Sequence, residues 1–249
     1  MSDGETQNGS SGPGKGFFAV LAVLAAAGVA ALLLAGGGAP EPVGPLSESA
    51  MQVEADSGAF AAAVGPEDAP VTVMEFADFT CSHCATFASL PGPALRRDYV
   101  QPGQVRMLVY DFPLSRRTPA IPAALAARCA GDQGEYWAMH SKLFNNQDAW
   151  ARSGSPEGQF ADYARDIGLD TGQFNECYSG QEHLEEIMAS RRYGEQLRVT
   201  GTPSVFVNGQ KAQNYGYEAV SRHIERELAR AASDSTAAGE GASAGSAGR

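Results

Sequence analysis

The sequence predicts a mixed α/β domain interrupted by a block of helices and carried behind an apolar amino-terminal segment. Three observations support this. Strand-like runs at residues 69–76 ("APVTVMEF") and 104–112 ("QVRMLVYDF") stop, and strand character returns only at 202–213 ("TPSVFVNGQKAQ"). Between Pro119 and Val199, apolar residues recur at three and four spacing in pieces such as "PAALAARCAGDQ" and "EYWAMHSKLFNN", separated by Gly, Asn, Ser or Pro. Both ends are polar or small-residue segments with too little apolar surface to order themselves.

Taken in order, residues 1–16 ("MSDGETQNGSSGPGKG") read as a disordered polar lead. Residues 17–35 are 19 residues free of charge and proline, long enough as a helix to cross ~30 Å of hydrocarbon. Their length favours an uncleaved transmembrane anchor over a secretory signal, whose apolar core is shorter. A cleaved signal is the competing reading, with small residues at Ala35–Gly37. Lys15 precedes the segment and no Lys or Arg follows before Arg96, so the amino terminus is expected in the cytoplasm and the remainder outside it. Residues 36–58, rich in Pro, Gly and acids, form a flexible linker. The folded part is then expected in three pieces, 59–117, a helical insert at 118–199, and 200–231, followed by a disordered tail at 232–249.

Within the first piece, a helix is expected from Cys81, interrupted by Pro91 and Pro93 and resumed in "ALRRDYV". Asn208-Gly209 is a strong signal for a tight hairpin. The last helix carries Tyr217, Val220, Ile224 and Leu228 on one face, with charges opposite. The formal charge of −11 argues against a nucleic-acid partner, because phosphate binding needs a basic face.

The chemistry centres on "MEFADFTCSHCATF", with Cys81 and Cys84 two residues apart after a strand. A structural zinc needs four ligands, and Cys129 and Cys177 lie in separate helical segments without a companion at ligand spacing, so no metal is expected at the pair. As a staple so short a loop removes little unfolded-state entropy. A redox pair fits better. Cys81 falls where a helix begins, and unpaired N–H groups and the dipole there favour a thiolate. His83, protonated or as a donor, adds to that preference; the alternative is a solvent-exposed turn residue. Lowering a thiol pKa stabilises the dithiol and makes the disulfide a stronger oxidant. Glu75, a carboxylate in an apolar strand, is expected to have a raised pKa and to carry a proton to or from Cys84; the alternative is an exposed strand glutamate.

Together "GPEDAPVTVMEFADFTCSHCATF", "DFPL", "RCAGDQGEYWAMHSKLF" and "GTPSVFVNG" resemble the DsbA-like thiol:disulfide oxidoreductases of bacterial envelopes, over about residues 60–230. The resemblance implies a thioredoxin-like fold with an inserted α-helical domain. It implies that Thr202-Pro203 is a cis-proline loop beside Cys81 that binds extended substrate. Cys81, Cys84, His83 and Glu75 would form the catalytic set, with no cofactor. Ser82-His83 stands where the strongest oxidases of the family carry Pro-His, which leaves oxidising strength open. Expected partners are exported proteins with free cysteines, a quinone-linked membrane oxidase for reoxidation, and the membrane through residues 17–35. A reductase or isomerase of the same fold is the alternative, and a thiolate copper metallochaperone the alternative from another class. In an oxidising compartment Cys129 and Cys177 are expected to pair, and closing a loop of about 49 residues contributes up to ~4 kcal/mol.

Overall fold

The computed structural model describes residues 60–115 and 119–244. The expected polar lead, apolar segment and linker, all before residue 60, lie outside the described residues, as do 116–118 and 245–249. Among the described residues no helix is long and apolar enough to cross a membrane.

One five-stranded sheet runs in the order β1-β3-β2-β4-β5, with β1 Ala62–Val64, β2 Val71–Ala77, β3 Val105–Asp111, β4 Ser204–Val207 and β5 Gln210–Lys211. At its centre β2 and β3 are parallel, in register from Val71 opposite Val105 to Ala77 opposite Asp111; the other pairs are antiparallel. A parallel pair needs a crossover. Here it is α1 (Ser82–Ser89), α2 (Pro91–Leu95) and a π-helical turn at Arg96–Val100. Pro91 opens α2, where its missing N–H and fixed φ cost nothing, so the prolines divide one expected helix into two.

Both faces of the sheet are covered, which is why β2 and β3 are buried almost throughout instead of alternating. Val71, Val73, Met107, Val109, Val205 and Val207 share a core with Cys84 and Phe87 of α1 and with Val220 and Ile224 of the last helix, α9 (Tyr217–Ala244). Met74, Phe76, Leu108, Tyr110 and Phe206 form a second, aromatic core, in which Phe76 stacks on Tyr110 at 4.9 Å and meets Phe206 edge-on at 5.7 Å. Asn208 and Gly209 carry φ of 44° and 74°, the left-handed values a two-residue hairpin turn needs.

Between β3 and β4 the chain is helical: α3 (Ala120–Gly131), α4 (Tyr136–Asn145), α5 (Gln147–Trp150), α6 (Glu157–Asp166), α7 (Thr171–Gly180) and α8 (Leu184–Gln196). Met139, Leu143, Trp150, Phe160 and Ile187 are wholly buried there. Tyr193 and Leu197, at the end of α8, close the second face of the sheet. A disulfide joins Cys129 of α3 to Cys177 of α7, with Cα atoms 5.8 Å apart. Beside it, Arg128 makes a buried ion pair with Asp111 at the end of β3. That pair fastens the insert to the sheet.

Two features differ from the sequence-based expectation. The edge strand β1 adds a fifth strand that "AAV" does not announce, because its pairing is set by β3. The last helix runs to Ala244, past residue 231, so most of the tail expected to be disordered is helical. Extending a formed helix needs no new nucleus, and the added segment contains good helix formers such as Ala232 and Ala237.

Candidate active site

The turn between β2 and α1 is built by Asp78, which is 2% exposed. One carboxylate oxygen accepts hydrogen bonds from the Thr80 N–H at 2.6 Å and the Thr80 hydroxyl at 2.7 Å, and the other from the Leu114 N–H at 2.8 Å. The Cys81 N–H donates to the Asp78 carbonyl, and Gln147 of α5 reaches across to donate to the carbonyls of Phe79 and Cys81, at 2.7 and 3.0 Å. So fixed, Cys81 is the N-cap of α1, with extended backbone angles.

The two thiols are held in different states. Cys81 is half-buried and drawn from 9.0 to about 5. The largest cause is a hydrogen bond from the Cys84 thiol; burial opposes it, and Thr202 and the peptide N–H groups of Cys84 and His83 add to the lowering. Cys84 is fully buried. It is pushed far above the thiol range by burial, then by its bond to Cys81 and the charges of Glu75 and Cys81. One sulfur is ready to be an anion while the other keeps its proton.

Glu75 lies at the centre of β2, opposite Val109 and Val205, and is 2% exposed. Burial raises it from 4.5 to about 8; Arg96 lowers it in part and Cys81 raises it further. Its Oε1 has no hydrogen-bond partner among the described residues. Arg96, from the π-helical turn, lies over the Trp137 ring at 4.9 Å, so the nearby cation is partly buried itself. His140, packed against Phe79, Trp137 and Phe144, is lowered to about 3 by burial and Arg96 and stays neutral at ordinary pH.

Facing Cys81 is the Thr202-Pro203 loop, whose peptide bond is cis. The Cys81 Sγ lies 3.3 Å from the Thr202 carbonyl oxygen, a hydrogen bond open only to the protonated thiol, while it is the Thr202 side chain that helps to lower Cys81. The cleft beyond it is lined by Thr200, Thr202, Pro203, Lys211, Asn214 and Tyr215. The His83 imidazole is exposed and its Nδ1 is 2.8 Å from the Tyr215 hydroxyl. The imidazole thus faces Tyr215 in the wall of this cleft, and it is the His83 peptide N–H that acts on Cys81.

The fold therefore brings Glu75, Cys81, His83, Cys84, Thr202 and Pro203 to one place, and sets Cys129 and Cys177 apart in the insert. Sequence reasoning missed Asp78, Arg96, Gln147 and Tyr215. Asp78 carried a local signal, since Asp with Thr two residues on is an Asx-turn pattern. The other three act on residues from 21 to 132 positions away, beyond any local period.

These features define a class: a sheet-and-helix scaffold that presents a Cys-x-x-Cys pair at a helix start, one thiol acidic and accessible, its partner buried, opposite a cis-proline loop. The family model described as thioredoxin matches residues 60–226, and the chain belongs to that family. A Rickettsia typhi protein named as a protein-disulfide oxidoreductase is 28% identical over 166 residues, covering 66% of this chain and 61% of the relative. The chain spans about three fifths of the length of the Rickettsia relatives it matches. A Bacillus anthracis protein named disulfide bond formation protein D is 28% identical over 168 residues, covering 66% of this chain and 77% of the relative. Among solved structures, oxidised BdbD from Bacillus subtilis aligns with a TM-score of 0.63 at 24% identity, over 68% of this chain and 94% of that one. Wolbachia pipientis alpha-DsbA1 gives 0.63 at 23%, over 70% and 94%. These two show a shared DsbA-like fold.

Proposed function

We propose that this protein is a membrane-tethered, extracytoplasmic thiol:disulfide oxidoreductase that forms disulfides in exported proteins through Cys81 and Cys84. The observation that carries the reading is the division of labour between the thiols, Cys81 lowered to about 5 at a helix start and Cys84 buried and protonated. A client thiolate attacks the Cys81 sulfur of the oxidised pair, forming a mixed disulfide, and Cys84 leaves. A thiolate there would be buried beside Glu75, so it needs a proton, and Glu75 is a carboxyl that burial keeps protonated at neutral pH. A second client thiolate then attacks the client sulfur. Cys81 departs as the thiolate its environment favours, two electrons pass to the enzyme, and the client leaves with its disulfide. Glu75 regains its proton from solvent.

The client backbone lies along the Thr202-Pro203 loop, whose Thr202 carbonyl oxygen is 3.3 Å from the Cys81 sulfur. Reoxidation falls to a quinone-linked membrane oxidase, and residues 17–35 serve as the anchor that holds both proteins at one membrane. A copper-carrying role fits the site less well, because it asks both sulfurs to be thiolates and Cys84 is held strongly to its proton.

The deciding measurement is the midpoint potential of the Cys81–Cys84 couple against a glutathione buffer, paired with turnover of a reduced, unfolded client. A potential near that of strong oxidases, about −120 mV, with fast client oxidation supports the proposal; a value near about −270 mV would make the protein a reductase.

A further inference from the structure

The geometry points to a second site, away from the redox pair: on reduction of the Cys129–Cys177 bridge, the two sulfurs, His183 and Asp132 bind one thiophilic divalent cation, with zinc the best match. The four residues come from three helices: Cys129 and its C-cap residue Asp132 from α3, Cys177 from α7, and His183 from the N-cap of α8. One ligand atom from each lies within 4.8 Å of all the others. Two thiolates, an imidazole and a carboxylate are a zinc donor set, and four donors make a tetrahedron.

Independent features support that assignment. His183 Nδ1 is held by Glu186 Oε2 at 3.0 Å, while Nε2 faces Asp132 Oδ2 at 2.8 Å. A carboxylate on the far nitrogen is the outer-shell arrangement that fixes a ligating histidine, and it leaves Nε2 for the metal. Arg128 Nη1 stands 3.9 Å behind Glu186. The Asp132 carboxylate also lies 3.4 Å from the Cys177 sulfur. A bridged sulfur carries no proton, so two electron-rich atoms meet there without a hydrogen between them, a contact a cation would suit. The cleft over the bridge is lined by Asp132, Gln133, Gln173, Glu176 and Glu182, an acidic mouth through which a cation can enter.

The chemistry balances. A dithiol reductant gives two electrons and two protons to the bridge and becomes a disulfide itself; the cation then displaces both thiol protons. Sulfur atoms bound to one zinc sit about 3.8 Å apart at Zn–S distances of about 2.3 Å. Side-chain rotation can reach that from Cα atoms 5.8 Å apart. The bridge and the metal are thus mutually exclusive occupants of one site, selected by the redox environment.

The test uses the full chain with Cys81→Ser and Cys84→Ser, so that the redox pair offers no competing thiolates. After reduction with a phosphine, cobalt is expected to bind at one equivalent with a sulfur-to-cobalt charge-transfer band and tetrahedral visible bands, and zinc to displace it. Against a chromophoric chelator, Glu186→Gln should weaken zinc roughly 10- to 100-fold, and His183→Ala or Asp132→Asn by more. The oxidised chain should bind none. Should His183→Ala fail to fold, His183→Gln replaces it, and cadmium-113 NMR of the reduced chain with His183 and Asp132 intact reports sulfur and nitrogen ligands directly. The inference is overturned by absence of the charge-transfer band, by equal binding to the oxidised chain, by affinity indifferent to His183, or by loss of helical circular dichroism on reduction.

Discussion

Replacing Glu75 with Gln tests whether the carboxyl below the cysteines is stored protonated. Glu75 is 2% exposed and raised from 4.5 to about 8. Its folded pKa lies above its unfolded one, so the native state retains a proton that the unfolded chain releases. The associated stability is fully present below about pH 4.5 and is lost as pH rises, the loss levelling off near 8. At pH 7 the loss corresponds to about 2.5 pH units, or roughly 3 kcal/mol at about 1.4 kcal/mol per unit. Glutamine has nearly the same shape and no charge to suppress, so Glu75→Gln should escape this loss. It brings an amide that needs partners, an offset of about 1–3 kcal/mol at every pH. The diagnostic is therefore the change in the gap between variant and parent. Urea unfolding of both reduced proteins, repeated from about pH 4.5 to 8, should show the gap moving in favour of the variant by roughly 3 kcal/mol by pH 7. Cys81 contributes equally to both curves, apart from the part of the Glu75 shift that Cys81 itself causes. A gap constant across that range would mean that Glu75 ionises as it does in water, and the proton-donor role would fall with it.

Thiolate absorbance of the reduced protein should titrate near 5 with Cys81 present and vanish from that range in Cys81→Ser. The midpoint potential should accordingly fall by about 59 mV per pH unit below that point and about 30 mV above it, since reduction takes up two protons and then one; a single steep slope up to pH 8 would contradict the lowered thiol. Arg128→Ala leaves Asp111, 2% exposed, without its cation, and should cost roughly 3–5 kcal/mol by urea unfolding, whereas a loss under about 1 kcal/mol would show that the pair does not fasten the insert. Gly194→Ala places a methyl 2.6 Å from the Phe112 ring and 2.9 Å from Phe76, so about 1–3 kcal/mol of destabilisation is expected from thermal unfolding; an unchanged midpoint would mean the aromatic core yields freely.

What the sequence made legible was governed by range. The central strands, the proline-divided helix, the Asn208-Gly209 turn and the buried face of α9 each depend on residues within a few positions of one another, and a period of two or 3.6 records them. The helix start at Cys81 is local for the same reason, which is why its acidity could be argued from the dipole and free N–H groups. The magnitude could not, because the largest cause is the thiol of Cys84 held in place, and Thr202 arrives from 121 residues away. Glu75 was recognisable as a carboxylate in an apolar strand, yet its burial depends on β3, β4 and the helices over them. Cys129 and Cys177 illustrate the same limit. Counted along the chain they have no ligand-spaced companion, while in the fold their sulfurs lie within 4.8 Å of ligand atoms of Asp132 and His183.

The insert is more than a spacer between halves of the sheet. Gln147, its only contribution to the backbone of the redox turn among the hydrogen bonds described, holds the carbonyls of Phe79 and Cys81. Trp150, three residues on, is wholly buried, and its indole N–H is bonded to the Leu143 carbonyl, so α5 has little freedom to move without α4. The N-cap of α1 is thus fastened from both sides, by Asp78 on the sheet and Gln147 on the insert. A thiolate stabilised by peptide N–H groups gains from them only while those groups stay aimed at it. The share of the Cys81 acidity that these N–H groups supply, beside the larger one from the Cys84 thiol, thus depends on two structural units clamped on one turn, and that share should fail in step with the packing of the insert even when both cysteines are untouched.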